Sequence, residues 1–201
     1  MNLPNKITIM RIILSVLLLI LLIFPFYQVG ITFPTFVISG SKGNILVDSK
    51  YFIGGALFLV ASCTDFVDGY IARKYNLVTD FGKVMDAIAD KMLVNGVLII
   101  FAVNGFINVI IPVIIVTRDI AVDSIKMVVG KREKAVGASI LGKIKTIFMM
   151  VGLTLLFFYN LPFELINLRV ADFLVLVATV LSVVSGVEYY LKSKKILTEE
   201  I

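Results

Sequence analysis

The chain has 201 residues, of which 59% are hydrophobic and 16% charged, with a formal net charge of +5. A soluble domain runs about 45–50% apolar and about 25% charged. The composition therefore excludes a soluble globular domain, a disordered chain and a nucleic-acid-binding module. There is no histidine and only one cysteine, Cys63. Imidazole base chemistry, an intrachain disulfide and a cysteine-built zinc site are excluded as well.

A bilayer crossing takes roughly 20 apolar residues, and six such segments can be cut from the chain. The first covers 7–26 and begins with Lys6 and Arg11. The sequence Phe24-Pro-Phe-Tyr-Gln lacks a small-residue cleavage pattern, so this segment is expected to be a retained helix rather than a signal peptide. A linker over 28–50 carries Gly30, Pro34, Gly40 and Gly43 as turn signals. The second segment covers 51–70. Thr79-Asp80 precedes the third, 84–103, and Asp80 is expected to cap it. Asn104-Gly105 makes a tight turn into the fourth segment, 107–129. A basic, glycine-rich connection over 130–142 faces anionic lipid and leads to the fifth, 144–159. Asn160-Leu-Pro162 separates it from the sixth, 165–191, which closes with Tyr189, Tyr190 and a lysine cluster as interfacial anchors. The runs are longer than the roughly 10 residues of a barrel strand and do not alternate, so strands are not expected. The expectation is an all-α integral membrane protein of six transmembrane helices, with one domain over 1–201.

With both ends in the cytoplasm, only Lys42, Lys50 and Arg169 lie outside, against sixteen of the nineteen basic residues inside. Lys and Arg favour the cytoplasmic side. This orientation places the connections 69–82 and 130–142 on the same, cytoplasmic face.

Four carboxylates stand where an apolar helix should not have them. Asp65 and Asp68 are three apart and share a helical face; Asp86 and Asp90 are four apart and share a face on the next helix. The two helices are joined by a short loop and must be antiparallel neighbours, so all four acids converge near one boundary. An ionisable group inside a membrane segment marks a functional site by default. Four like charges repel, and a divalent cation relieves them. An all-oxygen set without His or Cys selects Mg²⁺, Mn²⁺ or Ca²⁺, and four carboxylates have enough ligand atoms for two ions. Gly69, Gly82 and the small Ala72 let a bulky group approach the backbone, and Arg73 can neutralise a phosphate.

These residues form the pattern D-x2-D-G-x2-A-R-x8-G-x3-D-x3-D, met at Asp65, Asp68, Gly69, Ala72, Arg73, Gly82, Asp86 and Asp90. The pattern resembles the signature of the CDP-alcohol phosphotransferases. The resemblance implies a homodimeric membrane enzyme that moves a CDP-linked phosphoryl group onto an alcohol and releases CMP. It also implies two Mg²⁺ or Mn²⁺ ions. Asp65, Asp68 and Asp86 would hold one with the CDP diphosphate; Asp65, Asp86 and Asp90 would hold the other. Asp90 would be the general base, and Gly69, Ala72, Arg73, Thr79 and Gly82 would line the nucleotide pocket.

The start of the chain, Asn2-Leu-Pro-Asn5-Lys-Ile-Thr8 followed by Arg11, is similar to the phosphatidylglycerophosphate synthase branch of that family, as is Gly142-Lys143-Ile-Lys145-Thr146. This implies CDP-diacylglycerol as donor, glycerol 3-phosphate as acceptor, and Asn5, Thr8 and Arg11 in contact with the donor. Arg118, Lys143 and Lys145 would bind the acceptor phosphate. Two positions depart from the branch: Ala87 stands for its usual proline and Met149 for its usual glutamine. They bear on the acceptor, for which serine, inositol phosphate and phosphatidylglycerol are the alternatives. A cation channel or transporter is the alternative of a different class, with the acids as an ion path.

Overall fold

Pro4 opens the first helix, in the first turn where its missing N–H is of no consequence. This computed structural model describes residues 2–40, 43–75, 79–130 and 140–198. Helix α1 spans Leu3–Ile23 and stops ahead of Pro25, earlier than the expected end at 26, because the residue before a proline is driven out of the helical region. Helix α2 spans Ser49–Lys74 and is capped by Asp48, whose side chain accepts from the Lys50 amide at 2.9 Å. Helix α3 spans Asp80–Val103. Its cap is Thr79, whose hydroxyl accepts from the Gly82 amide at 3.0 Å. The expected cap, Asp80, is instead the first helical residue, because the extended backbone a cap needs is found at Thr79. Helices α4, α5 and α6 span Ile110–Gly130, Ile140–Phe157 and Val170–Thr198. The sixth begins later than the expected 165, since Phe163–Ile166 forms a separate 3-10 turn. The basic connection over 131–139, with its lysines and arginine, and Lys42 lie outside the described residues.

Four helices among the described residues are long and apolar enough to cross a membrane: Pro4–Ile23, Ser49–Ile71, Ile140–Phe157 and Val170–Lys194. The chain is a mostly helical, multi-pass membrane protein. At about 1.5 Å per residue, α3 and α4 also match a hydrocarbon core of about 30 Å. Their hydropathy is lowered by Asp86, Asp90 and Lys91 in α3 and by Arg118, Asp119, Asp123 and Lys126 in α4.

The linker is not structureless, and the all-α expectation is corrected there. After a 3-10 turn over Phe26–Val29, strands β1 (Thr35–Gly40) and β2 (Gly43–Asp48) pair as an antiparallel hairpin, from Thr35 opposite Asp48 to Gly40 opposite Gly43. Val37, Ile38, Ile45 and Val47 give these short runs their β preference. Val47 is buried, whereas Phe36, Val37 and Leu46 are exposed. Asp48 moors the hairpin: its amide donates to the Tyr159 hydroxyl at 3.0 Å, and its carboxylate accepts from the Tyr27 hydroxyl. That hydrogen bond pushes the Tyr27 hydroxyl up to about 12.

The core lies among α1, α2, α3 and α5, with Leu18, Phe58, Leu93, Val97, Phe101, Leu153 and Phe157 fully enclosed. Phe101 and Phe157 meet edge to face, their centroids 4.7 Å apart, a favoured aromatic geometry. Helix α6 covers α5 and α4. Ile13, Leu17 and Ile20 on α1 and Leu176 and Val180 on α6 point outward, as lipid-facing side chains do. The alternating helix directions bring the start of α1, the end of α2 and the start of α3 together, and the functional residues gather at that end of the bundle.

Candidate active site

Three helices place charged and polar groups in one small volume. Helix α1 contributes Asn5, Thr8 and Arg11, spaced one turn apart and all buried, with Arg11 0% exposed. Helix α2 contributes Asp65 and Asp68, and α3 contributes Asp86. Carboxylate oxygens of Asp65, Asp68 and Asp86 lie within 4.8 Å of one another. The Arg11 guanidinium bridges two of them: Nη1 donates to Asp65 and Nη2 to Asp86, and Nη2 lies 3.7 Å from Asp68 Oδ2. Thr8 Oγ1 lies 3.1 Å from Asp68 Oδ2 and 3.1 Å from the Pro4 carbonyl. Arg11 Nε is buried and has no partner among the described residues.

One guanidinium against three carboxylates leaves two negative charges in one small volume, with Asp68 buried and Asp65 and Asp86 partly open to solvent. The donor set is all oxygen, converging and only partly neutralised, which fits a hard divalent cation. Asp65, Asp68 and Asp86 form an acidic group able to hold one.

Gly82 explains how α3 comes so close to α1. A Cβ at Gly82 would lie 2.7 Å from Asn5 Oδ1 and 3.0 Å from Thr79 Oγ1. Thr79 Oγ1 in turn donates to Asn5 Oδ1 at 3.2 Å. The absent side chain admits Asn5 to the start of α3, so this glycine serves a contact between two helices of the chain itself.

Asp90 stands one turn beyond Asp86. It opens into a pocket lined also by Lys91, Asn95, Asp119, Lys145 and Thr146. The floor of that pocket is Val94, Ile115, Met149 and Met150. About 380 Å³ of space lies within the pocket and its opening to solvent. Lys145 donates to Asp119 Oδ1 at 2.9 Å, and Lys91 pairs with Asp123.

The structure thus brings together Asn5, Thr8, Arg11, Asp65, Asp68 and Asp86, with Thr79 and Gly82 beside Asn5. Asp90 and Lys145 meet in the adjoining pocket. Arg118 does not line that pocket: its donors go to Asp119, the Ser182 carbonyl and Ser185. Lys143 is exposed, and Gly69 follows Asp68 on α2. Ala72 and Arg73 belong to α2, but their side chains lie outside the described residues. Helical spacing alone does not place Arg11 at the centre of the acids, nor Lys91 and Asn95 around the pocket. Arg11 did carry a local signal, as a basic residue well inside an apolar run.

Comparison with known proteins assigns the family. Residues 1–185 match the family model described as CDP-alcohol phosphatidyltransferase. A Bacillus subtilis protein named CDP-diacylglycerol–glycerol-3-phosphate 3-phosphatidyltransferase is 39% identical over 192 residues, covering 96% of this chain and 95% of its own. Proteins of the same name from Rickettsia bellii and Haemophilus influenzae are 34% and 31% identical over 96% and 100% of this chain, and over 96% and 97% of their own. The chain belongs to the CDP-alcohol phosphatidyltransferase family and is an enzyme of that class.

Proposed function

We propose that the protein transfers the phosphatidyl group of CDP-diacylglycerol to glycerol 3-phosphate, giving phosphatidylglycerophosphate and CMP. The observation that carries this reading is the placement of Asp90. It stands between a three-carboxylate cluster suited to a metal-bound diphosphate and a small pocket holding Lys145. The relatives named for the same reaction, matched nearly end to end, support it.

Asp65, Asp68 and Asp86 would hold one Mg²⁺ or Mn²⁺ ion, and Asp65, Asp86 and Asp90 a second. When bound, the ions supply neutralising charge to the diphosphate and hold its leaving oxygen. Arg11, with Nε unpaired, and Thr8 and Asn5 position the donor's phosphates from α1, with Gly69, Ala72, Arg73, Thr79 and Gly82 around the nucleotide. Lys145 anchors the acceptor phosphate, with Lys143 and Arg118 contributing positive charge from further out. The acceptor's free hydroxyl then faces Asp90, which takes its proton as the hydroxyl oxygen bonds to the phosphorus bearing diacylglycerol. The bond from that phosphorus to the bridging oxygen breaks, and CMP leaves with the electron pair. In a protein without histidine, a carboxylate is the natural base.

Six membrane-crossing helices, a site at the cytoplasmic surface of the cell membrane and a homodimer complete the reading. The length of α3 and α4 supports the first, and the distribution of lysine and arginine supports the second. The donor's acyl chains stay in lipid while the soluble acceptor arrives from water. The test is CMP release by purified protein with Mg²⁺ or Mn²⁺, CDP-diacylglycerol and a panel of acceptors: glycerol 3-phosphate, serine, inositol phosphate and phosphatidylglycerol. Release with glycerol 3-phosphate is expected; release only with another acceptor would overturn the choice of acceptor, and none with any would overturn the reaction.

A further inference from the structure

Arg118 is gripped from behind, by the last helix. Nε donates to the Ser182 carbonyl at 2.9 Å, and Nη2 donates to Ser185 Oγ at 2.8 Å. Ser185, fully buried, donates onward to the same Ser182 carbonyl at 3.0 Å. A Cβ at Gly186 would lie 3.0 Å from Arg118 Nε and 3.1 Å from its Cγ. Arg118 thus packs closely against α6 at Gly186, where a Cβ would be a tight fit. Its remaining edge faces forward: Nη1 donates to Asp119 Oδ1 at 3.0 Å, the same oxygen that takes Lys145 at 2.9 Å.

We propose that α6 sets the acceptor subsite at a distance, with Ser185 and Gly186 as positioning residues. They hold Arg118, Arg118 holds Asp119, and Asp119 holds Lys145 where an acceptor phosphate meets it. The physical reason lies in the shared oxygen. Asp119 carries one negative charge between two cations, so its orientation depends on how firmly Arg118 is held. A guanidinium fixed at three corners leaves Asp119 in one orientation and Lys145 at one point of the pocket wall. A guanidinium released from α6 competes with Lys145 for Asp119, or moves toward an incoming phosphate itself. Either way the subsite loses a defined shape, while the carboxylates of α2 and α3 are untouched.

The inference rests on the acceptor reading given above, and two measurements on the purified full chain separate them. The first is KM for glycerol 3-phosphate and for CDP-diacylglycerol, read by CMP release. The second needs no turnover: inorganic phosphate is titrated against the thermal unfolding midpoint. Ser185→Ala is expected to raise both the acceptor KM and the phosphate concentration for half-stabilisation about five- to tenfold, the scale of one typical hydrogen bond. The donor KM and kcat stay within about twofold on the same scale. Gly186→Ala moves the same quantities in the same direction, and Ser185→Thr, which keeps the hydroxyl, restores them. An equal rise in both KM values, an unchanged phosphate midpoint in Ser185→Ala and Gly186→Ala, or failure of Ser185→Thr to restore would overturn the proposal. Parent enzyme that is inactive with glycerol 3-phosphate but stabilised by phosphate overturns the acceptor alone. Parent enzyme that phosphate does not stabilise overturns the relay.

Discussion

Arg11 and Asp86 are seventy-five residues apart in the chain and joined by a direct hydrogen bond from guanidinium to carboxylate. The same guanidinium reaches Asp65, so one side chain of α1 ties the acids of α2 and α3 together. Replacing Arg11 with alanine leaves three carboxylates facing one another. Asp65 and Asp86 are partly exposed, so water screens much of their repulsion, and the unfolding midpoint is expected to drop modestly. Added Mn²⁺ is expected to recover more stability in Arg11→Ala than in the parent. Calorimetry with and without the ion checks this, and equal recovery in both proteins would refute it.

The role of Asp90 separates from that of the three clustered acids. Asp90→Asn is expected to lower kcat by a factor of about 10² to 10⁴, the usual contribution of a general base. CDP-diacylglycerol should still stabilise this variant against heat. Retention of full activity would remove Asp90 from the chemistry.

Chelation is expected to stop CMP release, and Mg²⁺ or Mn²⁺ to restore it. In Asp68→Asn the restoring concentration should rise, because one oxygen ligand loses its charge. A titration of rate against ion concentration in both proteins decides the matter; superimposable curves would take Asp68 out of the ligand set.

At the junction of α1 and α3, Gly82→Ala pushes a methyl group to 2.7 Å from Asn5 Oδ1. Overpacking of this kind costs about 1–3 kcal/mol. Removing the obstacle in the double variant Asn5→Ala, Gly82→Ala should return part of that loss, a non-additivity expected only between residues in contact. Strict additivity in thermal unfolding would show that the two do not meet.

The parts of the site that could be read from the sequence are those built from local spacing. Asp65 and Asp68, and Asp86 and Asp90, share faces by helical periodicity alone, and a short connection makes their helices neighbours. The contacts of Arg118 with α6 could not be read that way. Its partners Ser182 and Ser185 lie more than sixty residues on, and neither stands out in an apolar run. The hairpin escaped for another reason: both of its strands are short, and Phe36, Val37 and Leu46 are exposed on a piece with little core to face, so no alternation marked it. Thr79 rather than Asp80 caps α3 because two good capping residues stand side by side, and only the backbone conformation selects between them.

The position of Arg11 ahead of the acids in the chain bears on how the protein enters the membrane. Helices are delivered to the bilayer in the order of synthesis, and carboxylates are among the groups it accepts least readily. Here the positive partner arrives with the first helix, before either acidic helix emerges. A counter-charge is thus expected to be in place for Asp65 and Asp68 when α2 is released, and for Asp86 when α3 follows. Assembly of the site can begin with the third helix, ahead of the pocket that α4 and α5 close around it.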